Sequence, residues 1–226
     1  MNQSDSMTLA IYGAGDFGCQ AMTIFKLSHP SSEIVFYDDV IKERVKNGVP
    51  VKPGLNQLLK DIEAGSIDSC FIALGYKYLK QKKRVFEILE PKISFQTIIH
   101  PKACIDETAE IQEGAIVYIG ATIDMHAVIG RGAVVNCSAT VSHHSHVGEF
   151  SWVGPNATLA GFCRLEGQNY MSTGSILGAN VHVAQNWIIA ANSTVLSSHP
   201  LVPDGNVILA GSPAQIKARR QLPADN

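Results

Sequence analysis

A six-residue repeat runs without interruption through the second half of the chain. Every sixth residue from Ile105 to Val195 is aliphatic or methionine, and the residue four positions further on is Ala or Ser in the first nine repeats. This spacing is typical of a β-helix, in which each hexad supplies one short strand and one corner, and three hexads complete a coil of 18 residues. An ordinary β-sandwich would instead show period-two alternation and irregular turns. The repeat therefore predicts an all-β, left-handed parallel β-helix over residues 101–226.

The first hundred residues have a different pattern, in which strand-like and helix-like segments alternate. The pattern predicts strands at residues 8–12, 33–37, 69–74 and 94–99, and helices at residues 18–27, 55–62 and 78–89. Alternation of this kind is characteristic of a parallel α/β sheet. The fold class predicted for residues 1–100 is therefore a Rossmann-like α/β domain with a small parallel sheet.

A glycine-rich loop follows the first predicted strand and opens the first helix. The motif GAGDFG contains Gly13, Gly15 and Gly18, which let a phosphate approach the backbone, while the helix N-terminus attracts its negative charge. Asp38, with Asp39 beside it, lies at the spacing of a residue that binds a ribose hydroxyl. Because the sheet is too short for a full dinucleotide-binding fold, we expect a single nucleotide, such as a nucleoside-diphosphate sugar, rather than NAD.

Four histidines fall within one stretch of the repeat. Because residues 18 positions apart stack on adjacent coils, His126 should lie near His144, and Gly161 near His143. A histidine beside an accessible glycine N–H suits acyl transfer. The imidazole accepts the proton of an attacking amine or hydroxyl, and the N–H stabilises the oxyanion of the tetrahedral intermediate.

Two other interpretations of these histidines stay open. They can be solvated corner side chains, or they can be ligands of zinc drawn from His126, His143, His144 and His146. Metal ligands on a β-helix usually come from separated coils so that their nitrogens converge, whereas adjacent His143 and His144 are expected to point apart. No metal is therefore included among the predicted cofactors.

Charge and composition exclude several classes of function. A net charge of −2 argues against nucleic-acid binding, which needs a basic surface. No apolar run is long enough to span a membrane, and the polar residues 1–7 do not resemble a signal peptide. The five cysteines lack CxxC spacing and are expected to be reduced thiols. These features predict a cytoplasmic protein.

Motifs along nearly the whole chain resemble those of one known family. The matching segments are GAGDFG at 13–18, YDD at 37–39, IIHP at 98–101, residues 136–148, PNATLAG at 155–161 and GSPA at 211–214. Together they resemble the bacterial sugar O- and N-acyltransferases with hexapeptide repeats. That family includes sialic-acid O-acetyltransferases and the N-acetyltransferases of UDP-, dTDP- or GDP-linked 4-amino-sugars.

The resemblance implies a CoA-dependent acyltransferase, and most simply an N-acetyltransferase, that acts on a nucleotide-linked amino-sugar in bacterial surface-glycan or O-antigen biosynthesis. It implies a homotrimer with acetyl-CoA, or another acyl-CoA, in the groove between neighbouring β-helices. Apart from the family, exposed aromatic side chains expected at Trp152, Phe162 and Trp187 favour packing between copies, for which closed cyclic symmetry is the usual solution.

The resemblance also implies roles for individual residues. His143 matches the general base, Gly161 the N–H donor to the thioester carbonyl, and Asn136 a polar group that orients others in the site. Corners on later coils that line the path of the acyl-CoA are expected to include Trp152, Thr173 and Ala191. Residues expected to hold the sugar nucleotide are Gly13, Gly15, Gly18, Asp38 and Asp39.

The chain departs from the family pattern at two places. His144 stands where the family has Asp or Glu, whose negative charge favours the protonated form of the base. After the third predicted strand, Gly75-Tyr76 and then Lys80 replace the usual Gly-Asn or Gly-Asp and a following arginine. Two alternatives therefore accompany the acyltransferase: a metal enzyme resembling γ-type carbonic anhydrases, and a non-catalytic sugar-nucleotide-binding protein.

Overall fold

The chain divides into two compact units, Met1–Pro101 and Lys102–Asn226. The computed structural model describes residues 7–198 and 207–219. Residues 1–6, on which most of the signal-peptide expectation rests, lie outside the described residues. No helix within the described ranges is long and apolar enough to cross a membrane.

The N-terminal unit is a sheet with helices packed on it. Its described strands are β1 (Thr8–Tyr12), β2 (Glu33–Asp38), β3 (Val45–Lys46), β4 (Val49–Pro53), β5 (Ser69–Ile72) and β6 (Ile98–Ile99). Its described helices are α1 (Asp16–Ser28), α2 (Gly54–Glu63) and α3 (Leu79–Leu89), and a short 3-10 turn, Tyr76–Tyr78, precedes α3. The predicted α/β class is confirmed.

Strand β1 lies inside the sheet because its residues are apolar on both faces. The order is β3-β4-β2-β1-β5, and both β2 and β5 are parallel to β1. Leu9, Ala10 and Ile11 are fully buried, and Ala21 and Phe25 are buried on helix α1. The loops that follow β1 and β5 therefore leave the same edge of the sheet side by side, which is where α/β proteins bind ligands.

The sheet is mixed, which corrects the prediction of a wholly parallel one. Strands β3 and β4 form an antiparallel hairpin across Asn47 and Gly48, whose φ angles are 49° and 77°. An Asn-Gly pair favours this two-residue turn because both positions need a positive φ, but the flanking strands are too short to show alternation. The fourth strand, predicted at residues 94–99, is reduced to a bridge between Phe95 and Cys70 and the short β6.

The C-terminal unit is a parallel β-helix of two-residue strands, followed by a longer antiparallel pair of strands. Its described strands are β7 (Cys104–Ile105), β8 (Glu110–Ile111), β9 (Ile116–Val117), β10 (Thr122–Ile123), β11 (Val128–Ile129), β12 (Val134–Val135), β13 (Thr140–Val141), β14 (His146–Val147), β15 (Trp152–Val153), β16 (Thr158–Leu159), β17 (Arg164–Leu165), β18 (Tyr170–Met171), β19 (Ile176–Leu177), β20 (His182–Val183), β21 (Ile188–Ile189), β22 (Thr194–Val195), β23 (Val207–Gly211) and β24 (Ala214–Arg219).

These strands stack on three faces. Face 1 contains β7, β10, β13, β16, β19 and β22; face 2 contains β8, β11, β14, β17 and β20; face 3 contains β9, β12, β15, β18, β21, β23 and β24. Val141 pairs in parallel with Ile123 on one side and Leu159 on the other, each 18 positions away. The predicted β-helix and its 18-residue coil are therefore confirmed.

The repeat positions form the core of the β-helix. The aliphatic position is at most 1% exposed in every repeat from Val117 to Val195. The small-residue position is equally buried from Ala115 to Ala157. Small side chains at these positions leave room for the aliphatic side chains of the other two faces, because the interior of each coil is narrow and close-packed.

Two of the three aromatic side chains expected to be exposed are buried, which corrects that expectation. Trp187 is 1% exposed because it occupies the small-residue position of its repeat and packs into the core. Trp152 is 9% exposed and lies on face 3 between Val134 and Tyr170. Phe162 alone of the three is exposed, at 53%.

Candidate active site

His143 lies at the corner between β13 on face 1 and β14 on face 2. Its backbone N–H donates to Asp124 Oδ2 on the preceding coil (3.1 Å), while Asp124 Oδ1 accepts from the N–H of Met125 (2.8 Å). On the following coil, the N–H of Phe162 donates to the His143 carbonyl (3.1 Å). Hydrogen bonds to both neighbouring coils thus fix the backbone from which the half-buried imidazole projects.

The imidazole of His143 lies directly against the backbone of Gly161. A Cβ atom at Gly161 would be 2.6 Å from His143 Cε1 and 2.7 Å from His143 Nε2, closer than real Cβ contacts. No hydrogen bond within residues 7–198 and 207–219 uses the Gly161 N–H. The predicted stacking of His143 on Gly161 is confirmed, and a free N–H donor lies beside a histidine nitrogen.

Position 161 has no side chain because the imidazole of His143 occupies the space, and not because the backbone conformation requires glycine. The same corner position carries Met125, His143 and Ala179 on other coils. Gly161 has no positive φ, so an L-residue fits its backbone. Only the imidazole of His143 requires that this position be glycine.

His143 and His144 converge, contrary to the expectation that their rings point apart. Their Nδ1 atoms are 3.3 Å apart, within hydrogen-bonding distance. The reason is the backbone of His144, whose φ of 58° lies in the left-handed region and turns the side chain back toward its neighbour. Only one of the two nitrogens can donate, so each ring determines the tautomer of the other.

His144 belongs to a stack of rings along this corner. Its ring centroid is 5.0 Å from that of His126 and 4.9 Å from that of Phe162, with the Phe162 ring nearly parallel. His126, His144 and Phe162 occupy one corner position on successive coils, all with positive φ. The prediction that His126 stacks near His144 is confirmed.

His146 does not join the other three histidines. It lies on strand β14 of face 2, paired in register with Arg164. Burial, and then the neighbouring Arg164 charge, lower the pKa of His146 below the ordinary histidine value. Within the part of the chain that the structure describes, no group of three or more His, Cys, Asp or Glu side chains is arranged to hold a metal ion.

The other residues expected in the acyltransferase site lie elsewhere on the β-helix. Asn136 is at the preceding corner, between faces 3 and 1, and its Oδ1 accepts from the N–H of Cys137 (2.8 Å). Exposed Thr173 and Ala191 share that same corner on later coils. Trp152 is on a strand of face 3 rather than at a corner, which corrects its expected placement.

The glycine-rich loop of the N-terminal unit is shaped by close backbone contacts. Gly13 has a φ of 109°, and a Cβ there would lie 2.6 Å from the carbonyl oxygen of Ala73. A Cβ on Gly18 would lie 2.0 Å from the carbonyl oxygen of Gly13. Gly15, which precedes α1, has open space beside it. Two of the three glycines therefore close the turn, and Gly15 leaves room for a ligand.

Asp38 holds this loop in place. Its Oδ2 accepts from the N–H of Ala14, and its Oδ1 from those of Val40 and Ile41, each at 2.8 Å. Burial alone would raise the pKa of Asp38, but these three donors outweigh it and hold the pKa below the ordinary value. A bond from Asp38 to a ribose hydroxyl stays a prediction.

Asp39 links the end of β1 to the start of α2 through hydrogen bonds. Its Oδ2 accepts from the Tyr12 hydroxyl, and its Oδ1 from the N–H of Leu55 (3.3 Å). Burial, and then the Asp39 carboxylate, raise the pKa of Tyr12, so the hydroxyl keeps its proton. An open cleft of about 610 Å³ lies next to both aspartates, lined by residues 38–44 and 51–53.

Three features of these sites were not predicted from the sequence. Asp124 anchors the His143 backbone and is recognisable only by its place one coil below. Lys42 and Arg44 bring positive charge to the cleft from a segment with no periodic pattern. Lys82 is buried on α3, and its spacing of three after Leu79 and four before Phe86 is the helical signal that indicates this.

The N-terminal unit matches a known protein family. Residues 8–89 match the protein family described as the PglD N-terminal domain. Together with the similarity to the acetyltransferase domain of PglB, this match confirms the predicted resemblance to the hexapeptide sugar acyltransferases. Among curated proteins, no sequence matches the chain.

Solved structures show more particular similarities. The chain is 26% identical to the acetyltransferase domain of PglB from Neisseria gonorrhoeae FA1090, covering 93% of this chain and 99% of that one, with a TM-score of 0.83. The same domain with acetyl coenzyme A gives 27% identity, coverage of 94% and 100%, and a TM-score of 0.83. PerB from Caulobacter crescentus, in complex with CoA and GDP-perosamine, shares the fold at 23% identity, with coverage of 93% and 97% and a TM-score of 0.81.

Proposed function

We propose that the protein is an acetyl-CoA-dependent N-acetyltransferase that acts on a nucleotide-linked amino-sugar. The observation that carries the proposal is the imidazole of His143 lying against Gly161, whose N–H has no partner among the described residues. Support comes from the similar PglB domain, which binds acetyl coenzyme A, and from PerB, which binds CoA and GDP-perosamine.

His143 acts as the general base through Nε2. In the neutral state, His143 Nδ1–H donates to His144 Nδ1, which leaves the His143 Nε2 lone pair free beside Gly161. The sugar amine attacks the thioester carbonyl carbon while Nε2 accepts its proton. The C–N bond forms, the C–S bond breaks as the tetrahedral intermediate collapses, and the same proton passes to the leaving sulfur of CoA.

Gly161 stabilises the charge that develops on the carbonyl oxygen. A backbone N–H that is already fixed by its coil needs no reorganisation when the oxyanion forms. The carbonyl of Gly161 accepts from the N–H of Asn180 (3.0 Å) on the next coil, which helps to hold the peptide in place. Removing a donor of this kind typically costs about 100-fold or more in kcat.

The glycine-rich loop and the cleft beside it bind the nucleotide in this proposal. Open space beside Gly15, at the start of α1, admits a phosphate, which the helix N-terminus attracts. The cleft next to Asp38 and Asp39 has the volume of a small-molecule site, and Lys42 and Arg44 add positive charge to its lining. Whether UDP, dTDP or GDP is preferred depends on groups in this cleft.

The active form is a homotrimer in which neighbouring β-helices share each site. Thr173 and Ala191 occupy a different corner from His143, with face 1 between the two corners. Residues at different corners of one prism point away from each other, but they meet when the corner of one protomer packs beside that of the next. Closed cyclic symmetry repeats such an interface around the assembly. Acyl-CoA would lie in this groove, near Trp152, with Asn136 supporting the site.

A panel of acceptors tests the proposal. Purified protein is incubated with acetyl-CoA and UDP-, dTDP- and GDP-linked 4-amino-sugars, and products are identified by mass spectrometry. We expect one nucleotide class to gain an acetyl group, and His143→Ala to abolish the reaction. His182→Ala is the matched control, because His182 lies on face 2, bonded to Glu166 (2.9 Å).

Other outcomes identify the alternatives. Tight sugar-nucleotide binding with no turnover of any acyl-CoA would favour the non-catalytic protein. Stoichiometric zinc in the purified protein, with hydratase activity that chelators remove, would favour the metal enzyme.

A further inference from the structure

Lys82 is a buried lysine without a hydrogen-bond partner. The residue is 1% exposed, and within the described ranges its Nζ forms no hydrogen bond. Two aromatic rings lie close to the amine, with Nζ 5.6 Å from the ring centroid of Phe17 and 5.5 Å from that of Phe71. A methionine or leucine would fill the same space without a polar atom.

An unpaired amine in this position is costly for the fold. Burial lowers the pKa of Lys82 to about 7, and no carboxylate among the described residues offsets that effect. Contacts with Phe17 and Phe71 compensate only in part, because a cation–π contact is weak beside the loss of hydration of a buried ammonium group. Unpaired ionisable groups that lower stability are found preferentially at functional sites.

The elements around Lys82 meet at the carboxyl edge of the sheet. Lys82 is in the first turn of α3, Phe17 in the first turn of α1, and Phe71 on β5. Gly15 and Gly75 precede α1 and the turn before α3, both with φ of −73° and extended ψ, and both have open space beside them. The start of α1 and the turn before α3 thus both leave open space at this edge of the sheet, and Lys82 is on the helix that follows the second of them.

We propose that Lys82 is the cation that pairs with the diphosphate of a nucleoside diphosphate bound between the loops that contain Gly15 and Gly75. The inference rests on the proposed function, since it concerns the nucleotide site of the same enzyme. N–H groups at the start of α1 supply hydrogen bonds to the phosphates. Lys82 supplies net positive charge, which acts over several ångströms because the interior between them has a low dielectric constant.

The pairing couples nucleotide binding to proton uptake. Without a ligand, the amine of Lys82 is largely neutral above about pH 7. A bound diphosphate favours the ammonium form, so the protein takes up a proton as the nucleotide binds. The ionisable groups on α1, on β5 and in the turn before α3 are Asp16, Cys19, Lys26, Cys70, Tyr76, Lys77 and Tyr78. None of these contributes to the pKa shift of Lys82.

Isothermal titration calorimetry with UDP, dTDP and GDP measures this uptake. Each titration is run at pH 8 in two buffers of different ionisation enthalpy, well above the second phosphate ionisation at about pH 6. For the nucleotide that binds, we expect the wild type to take up close to one proton. Lys82→Met should lose the uptake and bind about tenfold or more weakly, since tenfold corresponds to one pKa unit.

Lys83→Met is the matched control, because Lys83 follows on the same helix but is partly exposed and near Glu87 (3.8 Å). It should bind the nucleotide as the wild type does, with the same uptake. A cooperative thermal unfolding transition would show that Lys82→Met is folded. Its melting temperature should be higher than that of the wild type.

Two results separate the inference from the function on which it rests. Nucleotide binding without proton uptake, or with unchanged affinity in Lys82→Met, would overturn the role of Lys82 and leave the acetyltransferase intact. Failure of the wild type to bind UDP, dTDP or GDP would overturn the nucleotide site itself. Acetyl transfer to an amine acceptor, measured separately, decides the enzyme function independently.

Discussion

At the scale of single residues, the missing side chain of Gly161 makes room for the imidazole of His143. Gly161→Ala would bring a Cβ within 2.6 Å of that ring, so the ring must move away from the Gly161 N–H. We expect a loss of about 1–3 kcal/mol in the free energy of unfolding, as for other overpacked sites. Activity should fall by about 100-fold, in line with loss of an oxyanion donor or base.

A double-mutant cycle isolates this contact. In a His143→Ala background the ring is gone, so Gly161→Ala should cost almost nothing, and urea denaturation of the four proteins measures the coupling. An equal loss in both backgrounds would show that the backbone, and not the imidazole, requires glycine here.

Lys82 gives the unfolding free energy a specific dependence on pH. Its pKa is about 7 in the folded protein, against 10.5 for an ordinary lysine. Between these values the unfolded chain binds more protons, so the free energy of unfolding should rise with pH, by up to about 1.4 kcal/mol per pH unit. Lys82→Met should unfold at a higher temperature at pH 7 and lose this rise.

Thermal denaturation between pH 7 and 10 measures both effects. Lys83→Met is the control, and its free energy of unfolding should still rise with pH. A Lys82→Met protein that is less stable than the wild type at pH 7 would contradict this account of the buried amine.

At the scale of elements, the corner that carries the histidines acts as one unit. His144 shares one hydrogen bond with His143, and its ring stacks on that of Phe162. His144→Phe keeps an aromatic ring in the stack but removes the nitrogen that selects the tautomer of His143. We therefore expect kcat/KM to fall about tenfold, within the range of general-base effects. The KM for acetyl-CoA should change little.

Steady-state kinetics measure the effect, and His182→Phe on face 2 serves as the control for an added phenylalanine. Wild-type kcat/KM in His144→Phe would show that the base needs no partner at Nδ1.

The elements of the β-helix were predictable because one local rule repeats in every coil. The inward position of Val141, and the stacking of His126 on His144, follow from the six-residue spacing and the 18-residue coil alone. Properties that depend on a single side chain were not predictable in the same way. The convergence of His143 and His144 comes from a positive φ, and Trp187 is buried because a later coil accepts a large residue where earlier coils have small ones.

The N-terminal unit was predictable where its segments are long and apolar. Strand β1 was predicted with the bounds that it has, Thr8–Tyr12, because its residues are buried on both faces. The hairpin of β3 and β4 was missed because the two-residue β3 is too short to show a periodic pattern. Its Asn47-Gly48 turn was the available signal. The sequence also could not show that Lys82 lacks a partner, since that depends on the neighbours which tertiary packing provides.

At the scale of the whole molecule, the proposed trimer, with sites shared between protomers, predicts complementation of inactive variants. His143→Ala removes the base, and Thr173→Trp blocks the other corner that the acyl-CoA is proposed to contact. In a mixed trimer, a site is intact when a protomer with an unchanged His143 lies beside a protomer with an unchanged Thr173. For equal, random mixing this happens in about a quarter of the sites.

Co-expression of the two variants should therefore restore about a quarter of the wild-type rate, while each variant alone stays inactive. Sedimentation should give the mass of three chains. No recovery of activity in a verified mixed assembly would show that each protomer holds a complete site.

The most direct test of the account is the pH dependence of kcat/KM for acetyl transfer, measured in the wild type and in His143→Ala. We expect the wild-type value to rise with pH, because a general base accepts a proton only in its neutral form. His143→Ala should be slower by about 100- to 10,000-fold and should lack that rise. A His143→Ala protein with near wild-type rates, or with the same pH profile, would contradict the claim that His143 is the base.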